Sequence, residues 1–319
     1  MKTTRLFMIF ALAVLLSSNA SVPYSTVVAQ APQMSEEKTA LYTKYYENRK
    51  GSDEQQKVAY ELAQEFLKKF GGDDDQYVKA VHSFVAKYEA NERLFNFNKA
   101  FDAKDFARTF DVGRQILQKE PENLYVVIRL VQSAYLSAVS GNKSLNAEAI
   151  SLARTGIQLI ESNKATNPAP MASVDDARAF LHYNLGWFLQ DTTPVETAAS
   201  VLKAIQSSTL YKTEPTAYFL LGSAIFNGEY QQLYNEYKEK YAGKDESPEQ
   251  KALLAKLNAV ADRSVDAMAR AVALATKPEQ QAFRKQAMAE LTEIYKDFHN
   301  KSDAGLNELI AGVLSKPLP

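Results

Sequence analysis

The chain has 319 residues, 46% hydrophobic and 24% charged, the balance of a folded protein with room for a sizeable buried core. A formal charge of −1 offers no electrostatic footprint for nucleic acid. The absence of cysteine excludes disulfides, thiolate metal sites, a cysteine nucleophile and a lipidated N-terminal cysteine.

Residues 1–31 have the order of a secretory signal peptide. Lys2 and Arg5 form a positive start, Leu6 to Leu16 is an unbroken apolar run, and small residues follow. Cleavage after Ala20 or Ala29 fits the small-residue pattern. The run is shorter than the roughly 20 residues of a membrane-spanning helix, so removal is expected rather than stable insertion. Loss of the two cations would leave a mature formal charge of −3. The expected location is the periplasm or the exterior of a bacterial cell.

Residues 32–90 read as an N-terminal helical cap. A first helix over Glu37–Asn48 places Leu41, Tyr45 and Tyr46 on one side, and Gly51-Ser52-Asp53 ends it. Ser52 with Gln55 resembles a capping box opening a second helix, whose stripe is Val58, Leu62, Phe66, Leu67 and Phe70. Asp73-Asp74-Asp75 lacks the ligand spacing of a calcium loop, so these carboxylates are expected to cap the next helix. From Gln76 the pattern runs through Phe84, Val85, Tyr88, Phe95 and Phe97 to about Phe101, as one long helix or two joined at Ala90-Asn91.

Asp105 to Asn123 is the clearest unit of the chain. Phe106, Phe110, Gly113, Ile116 and Leu117 line one helix side, and Pro121 ends it. Leu124–Ser140 and Ala147–Glu161 form a second pair turned at Gly141-Asn142. Ser162–Ala172 is the longest loop. In a third pair, Leu185-Gly186 precedes Thr193-Pro194-Val195-Glu196, which predicts an N-cap, a proline at the first helical position and a reciprocal glutamate. A fourth pair begins at Thr213, with Leu221-Gly222, a turn at Asn227-Gly228, and Tyr230, Leu233, Tyr234 and Tyr237 beyond it. Ser247-Pro248-Glu249-Gln250 starts a long helix to about Ala275, and Pro278 starts another, through Phe298. Leu306, Leu309, Ile310, Val313 and Leu314 make a short amphipathic helix expected to cover the one before it. No segment of the mature chain alternates convincingly with period two, so the fold class is all-α.

Over about residues 91–242 the chain resembles tetratricopeptide-repeat proteins. The likeness is plainest at Asp105–Pro121, Leu185–Ala198 and Leu221–Tyr230, and the two Leu-Gly pairs lie 36 residues apart, near the roughly 34-residue period of that class. Position eight of a repeat is Gly186 and Gly222 in the later pairs, and Phe97 and Val131 in the earlier ones. The resemblance implies an α-solenoid of antiparallel helix pairs, with residues 32–90 and a C-terminal region over 243–319 as helical caps.

No HExxH, G-x-S-x-G, phosphate-binding glycine loop or dinucleotide fingerprint occurs, so no catalytic, cofactor or metal residue is assigned. His82, His182 and His299 have no partner at metal-ligand spacing; His182 reads as a packing or groove residue. Glu293 and Asp297 with His299 nearby make a weak divalent-metal candidate. The resemblance implies an inner surface lined by first-helix positions. Carried over, these are Asn91, Asn98 and Phe101; Tyr125, Gln132 and Tyr135; Tyr183, Trp187 and Gln190; Phe219, Ser223 and Phe226. Aromatics with neutral amides and hydroxyls suit an extended peptide, or a glycan. The set holds no arginine or lysine, which disfavours capture of a terminal carboxylate. The expectation is a non-enzymatic scaffold for a protein or peptide partner. The alternatives are a cell-envelope enzyme or glycan-handling protein with a site assembled from distant residues, and a self-associating structural subunit.

Overall fold

A computed structural model describes residues 34–165, 167–299 and 301–318. The expected leader at 1–31 lies outside the described residues. Helices account for nearly all regular structure, and no strand occurs among the described residues. The chain divides into two compact units between Ala86 and Lys87.

The first unit holds α1 (Glu36–Asn48), α2 (Asp53–Phe70) and the opening of α3 (Gln76–Asp102). Ser52 and Gln55 exchange the two bonds of a capping box. Asp75 accepts from the amides of Tyr77 and Val78 at the start of α3, and with Asp73 it neutralises Lys38, whose side chain is 6% exposed. The acidic triplet is therefore a cap and an ion-pair anchor. Those bonds raise the Lys38 pKa, and the Lys38 ammonium with the Val78 amide lowers that of Asp75. The buried stripe of α2 is Ala59, Ala63 and Phe66, while Val58, expected inside, is 45% exposed. Small residues let α1 and α2 approach, which turns the packed face by one residue from the bulkier reading.

The second unit carries the end of α3, which is a single helix without a break at Ala90-Asn91. Phe97 is fully buried, whereas Phe95, expected on the same stripe, is 63% exposed. Then follow α4 (Phe106–Lys119), α5 (Leu124–Val139), α6 (Asn146–Glu161), α7 (Val174–Leu189) and α8 (Pro194–Ser207). Each packs on the next as far as α8. Asp105, Asn123 and Ser173 cap α4, α5 and α7 by accepting from amides three residues on. Thr193 departs from expectation. Pro194 does open α8, but Thr193 makes no side-chain cap and Glu196 turns to Arg154 at 2.7 Å instead of back to the cap. An arginine from α6 offers the carboxylate a charge-assisted bond that a neutral amide cannot match.

After the single turn α9 (Thr209–Lys212), α10 (Pro215–Ile225) opens the region where the structure departs most from the sequence reading. Asn227-Gly228 makes no turn. Phe226–Tyr230 form a π-helical segment through which α10 continues into α11 (Gln231–Tyr241). Gly228 is required for a different reason: a Cβ there would meet the backbone of Val195 at 3.0 Å. The partner of α10 is α12 (Pro248–Leu274), reached after α11 as an excursion. Thr197 of α8 donates its hydroxyl to the carbonyl of Gly186 in α7, and Ser264 of α12 donates likewise to Gly222 in α10. At both crossings a larger residue four places on, Val201 or Met268, fills the space over the glycine. Helices α7–α8 and α10–α12 are thus the same packing unit, and part of the expected C-terminal region completes the fourth pair.

A 3₁₀ turn at Pro278–Gln280 leads into α13 (Gln281–Phe298), and α14 (Leu306–Gly312) follows. Leu306 and Val313 are buried in one apolar cluster with Leu291 and Tyr295 of α13, and the helix on which the last one rests is α12 rather than the expected α13. Leu314, expected in its apolar stripe, is 49% exposed. Arg270 of α12 ties down the end of the chain through the carbonyls of Lys316 and Pro317.

Candidate functional site

The twelve first-helix positions fall on α3, α5, α7, α10 and the π-helical segment, and direct bonds join several across helix boundaries. Tyr125 donates its hydroxyl to the Asn98 amide oxygen at 2.7 Å, linking α5 to α3. The rings of Tyr135 and Trp187 meet edge to face at 4.9 Å, linking α5 to α7. The hydroxyl of Tyr183 lies 3.1 Å from that of Thr216, linking α7 to α10. Gln190 sits at the C-terminal end of α7 and Asn91 is exposed on α3. Phe219 turns to Phe283 of α13, and Phe226 stacks on Tyr230 at 5.1 Å. The last two aromatics therefore belong to a neighbouring cluster that includes Phe298.

These side chains are half-buried. Tyr125, Tyr135 and Trp187 lean on one apolar cluster, Tyr183, Trp187 and Phe219 on another, so Trp187 touches both. The Trp187 indole N–H has no hydrogen-bond acceptor among the described residues and is not sealed inside. Burial pushes the Tyr183 hydroxyl up to about 12, and raises Tyr135 and Tyr211 as well, so these phenols serve as neutral hydrogen-bonding groups.

Sequence reasoning missed Arg129. Its guanidinium lies 4.4 Å above the Phe101 ring and 5.6 Å from that of Tyr125, and it donates to the Gln132 side chain at 3.2 Å. The positions inferred for this surface include no cation, yet the structure adds one. The signal was present, since Arg129 is four residues after Tyr125 and three before Gln132, on the same helix face.

No family model matches the chain, and no curated protein and no solved structure is significantly similar to it. A cleft of about 650 Å³ lies between α10, the π-helical segment, α12 and α13, with Phe226, Met268, Met288 and Ile294 among its apolar walls and Lys285 and Glu293 among its polar ones. A smaller pocket of about 280 Å³ on α6, α7 and α8 includes His182. That imidazole is 4% exposed, its Nδ1 has no partner, and burial with nearby Lys203 and Arg178 pushes its pKa down to about 4. His182 is neutral and packed. The weak metal candidate does not assemble: His299 stacks on Tyr295 and contacts its carbonyl oxygen, while Asp297 pairs with Lys301. Among the described residues no group of three or more His, Asp or Glu side chains could hold a metal ion, and no helix is long and apolar enough to cross a membrane.

Proposed function

We propose that this chain is an exported, non-enzymatic scaffold of tetratricopeptide-like helix pairs, and that the wall made by α3, α5, α7 and α10 binds an extended peptide segment of a protein partner. Export rests on the leader-like residues 1–31, and the solenoid reading on the recurring pair geometry at Gly186 and Gly222. The observation that carries the binding site is the series of contacts between first helices: Asn98 with Tyr125, Tyr135 with Trp187, Tyr183 with Thr216. A wall whose polar atoms and ring edges continue from helix to helix suits a ligand that runs across several of them. Aromatic anchors with a free N–H are the side chains that concentrate binding energy.

The test is selection of peptides from a displayed random decapeptide library on the purified chain, followed by affinities for variants. Trp187→Ala is expected to weaken the selected peptides by about 30-fold or more, the effect of a hot spot. Trp187→Phe, which keeps most of the packing, should weaken them less. Both variants are checked for unchanged helicity. Affinities equal to the parent in both would reject this wall as the site.

A further inference from the structure

We infer that Arg129 is the seat for an acidic side chain within the bound segment, an inference that rests on the peptide-scaffold reading and names what the peptide must carry. Among the described residues, the other arginines and lysines that are not exposed have a carboxylate partner, apart from Arg49, whose guanidinium lies over the Tyr46 ring and donates to the Tyr46 carbonyl at 2.7 Å. Lys38 has Asp73 and Asp75, Arg93 has Glu89, Arg178 has Asp175, Arg263 has Glu229, Arg270 has Asp266 and Lys296 has Asp303. Arg129 has none. Its Nε is shut off from solvent without a hydrogen-bond acceptor, and Gln132 takes a single Nη1 bond.

The cost of this arrangement decides what it is for. A guanidinium held half-buried with its Nε shut off from water is best matched by an opposite charge, and the faces of Phe101 and Tyr125 supply none, because π contacts use no N–H. Those rings do something else. They fix the guanidinium plane, so that little side-chain entropy remains to be lost when a planar anion arrives. A carboxylate matches that plane with two oxygens, and Gln132 next to it can turn its amide N–H to the same group.

The position along the wall selects the kind of carboxylate. Asn98, Phe101 and Tyr125 lie to one side of Arg129, and on α5 beyond Gln132 comes Tyr135, which meets Trp187. Contact groups on both sides mean that the ligand continues past the arginine. The carboxylate is therefore an Asp or Glu side chain inside the segment, with aromatic or apolar neighbours for the flanking rings.

Two display libraries test this on the full purified chain. One holds random decapeptides enclosed by constant sequence at both ends, the other random decapeptides with a free C-terminus. The enclosed library should yield peptides with an internal Asp or Glu, and replacing that residue by Asn or Gln should weaken binding ten- to hundred-fold. Arg129→Gln should abolish the acidic preference, and Arg129→Lys, which keeps the charge without the planar fork, should restore it in part. Helicity and thermal midpoint are compared so that misfolding of one variant is read out separately. Selected peptides with no acidic preference, or a preference confined to free C-termini, would overturn the role of Arg129 and leave the scaffold reading standing. Failure of both libraries to yield any peptide would overturn the two together.

Discussion

Burying an imidazole without a partner makes the stability of α7 answer to pH. His182 has its pKa pushed down from 6.5 to about 4, so in acid the unfolded chain takes up a proton that the folded chain refuses. With a folded value below the unfolded one, the contribution of His182 is fully present above pH 6.5 and is lost as pH falls from there towards 4. The shift corresponds to a loss on the order of 3 kcal/mol across that window. His182→Gln should therefore flatten the decline in urea-unfolding free energy between pH 7 and pH 4.5. An identical decline in parent and variant would show that the imidazole is protonated in the fold. Arg129 shows the other side of residue-scale reading. Its helix-face spacing was visible in the sequence, but the absence of a carboxylate near it was not. Arg93, Arg178 and Arg270 pair with carboxylates three or four residues away on their own helices. A partner from another helix, such as Glu229 for Arg263, becomes evident only when helices are placed.

At the scale of elements, the close approach of helix pairs is set by glycine. A Cβ on Gly222 would lie 2.5 Å from Met268 Cγ and 2.9 Å from the carbonyl oxygen of Ser264, and the latter is backbone that cannot swing aside. Gly222→Ala should destabilise the chain by about 1–3 kcal/mol through overpacking, against a helix-propensity gain of up to about 1 kcal/mol. Gly312→Ala is the control, since open space surrounds that site, and it should be neutral or slightly stabilising. Denaturant midpoints of the two variants make the comparison; equal midpoints would mean that α10 and α12 can separate at no cost. The same crossing explains what the sequence could and could not tell. Helix starts at Ser52, Asp105 and Ser247 were legible because a cap is a matter between residues three apart. Asn227-Gly228 misled because glycine next to asparagine signals a turn, whereas here Gly228 is small to admit the α8 backbone. The role of α12 in closing the fourth pair was hidden by the excursion through α11. Thr193 misled similarly, since the better offer to Glu196 came from Arg154, 42 residues away.

For the whole molecule, periodicity was enough to establish an all-helical fold over the described residues, and the apolar stripes were right at Phe66, Phe97 and Phe110. They failed at Tyr46, Val58, Phe95 and Leu314, which stand exposed on their helices. The proposed binding role depends on one wall, and Trp187 is the single tryptophan of the chain, so its fluorescence reports on that wall alone. Titration of a selected peptide lacking tryptophan, followed by Trp187 emission together with an independent binding signal from a label on the peptide, is the most direct test. A saturable blue shift with the same midpoint as the label is predicted, because the ligand would exclude water from the indole. Saturation of the label with Trp187 emission unchanged would place the ligand elsewhere and contradict the account.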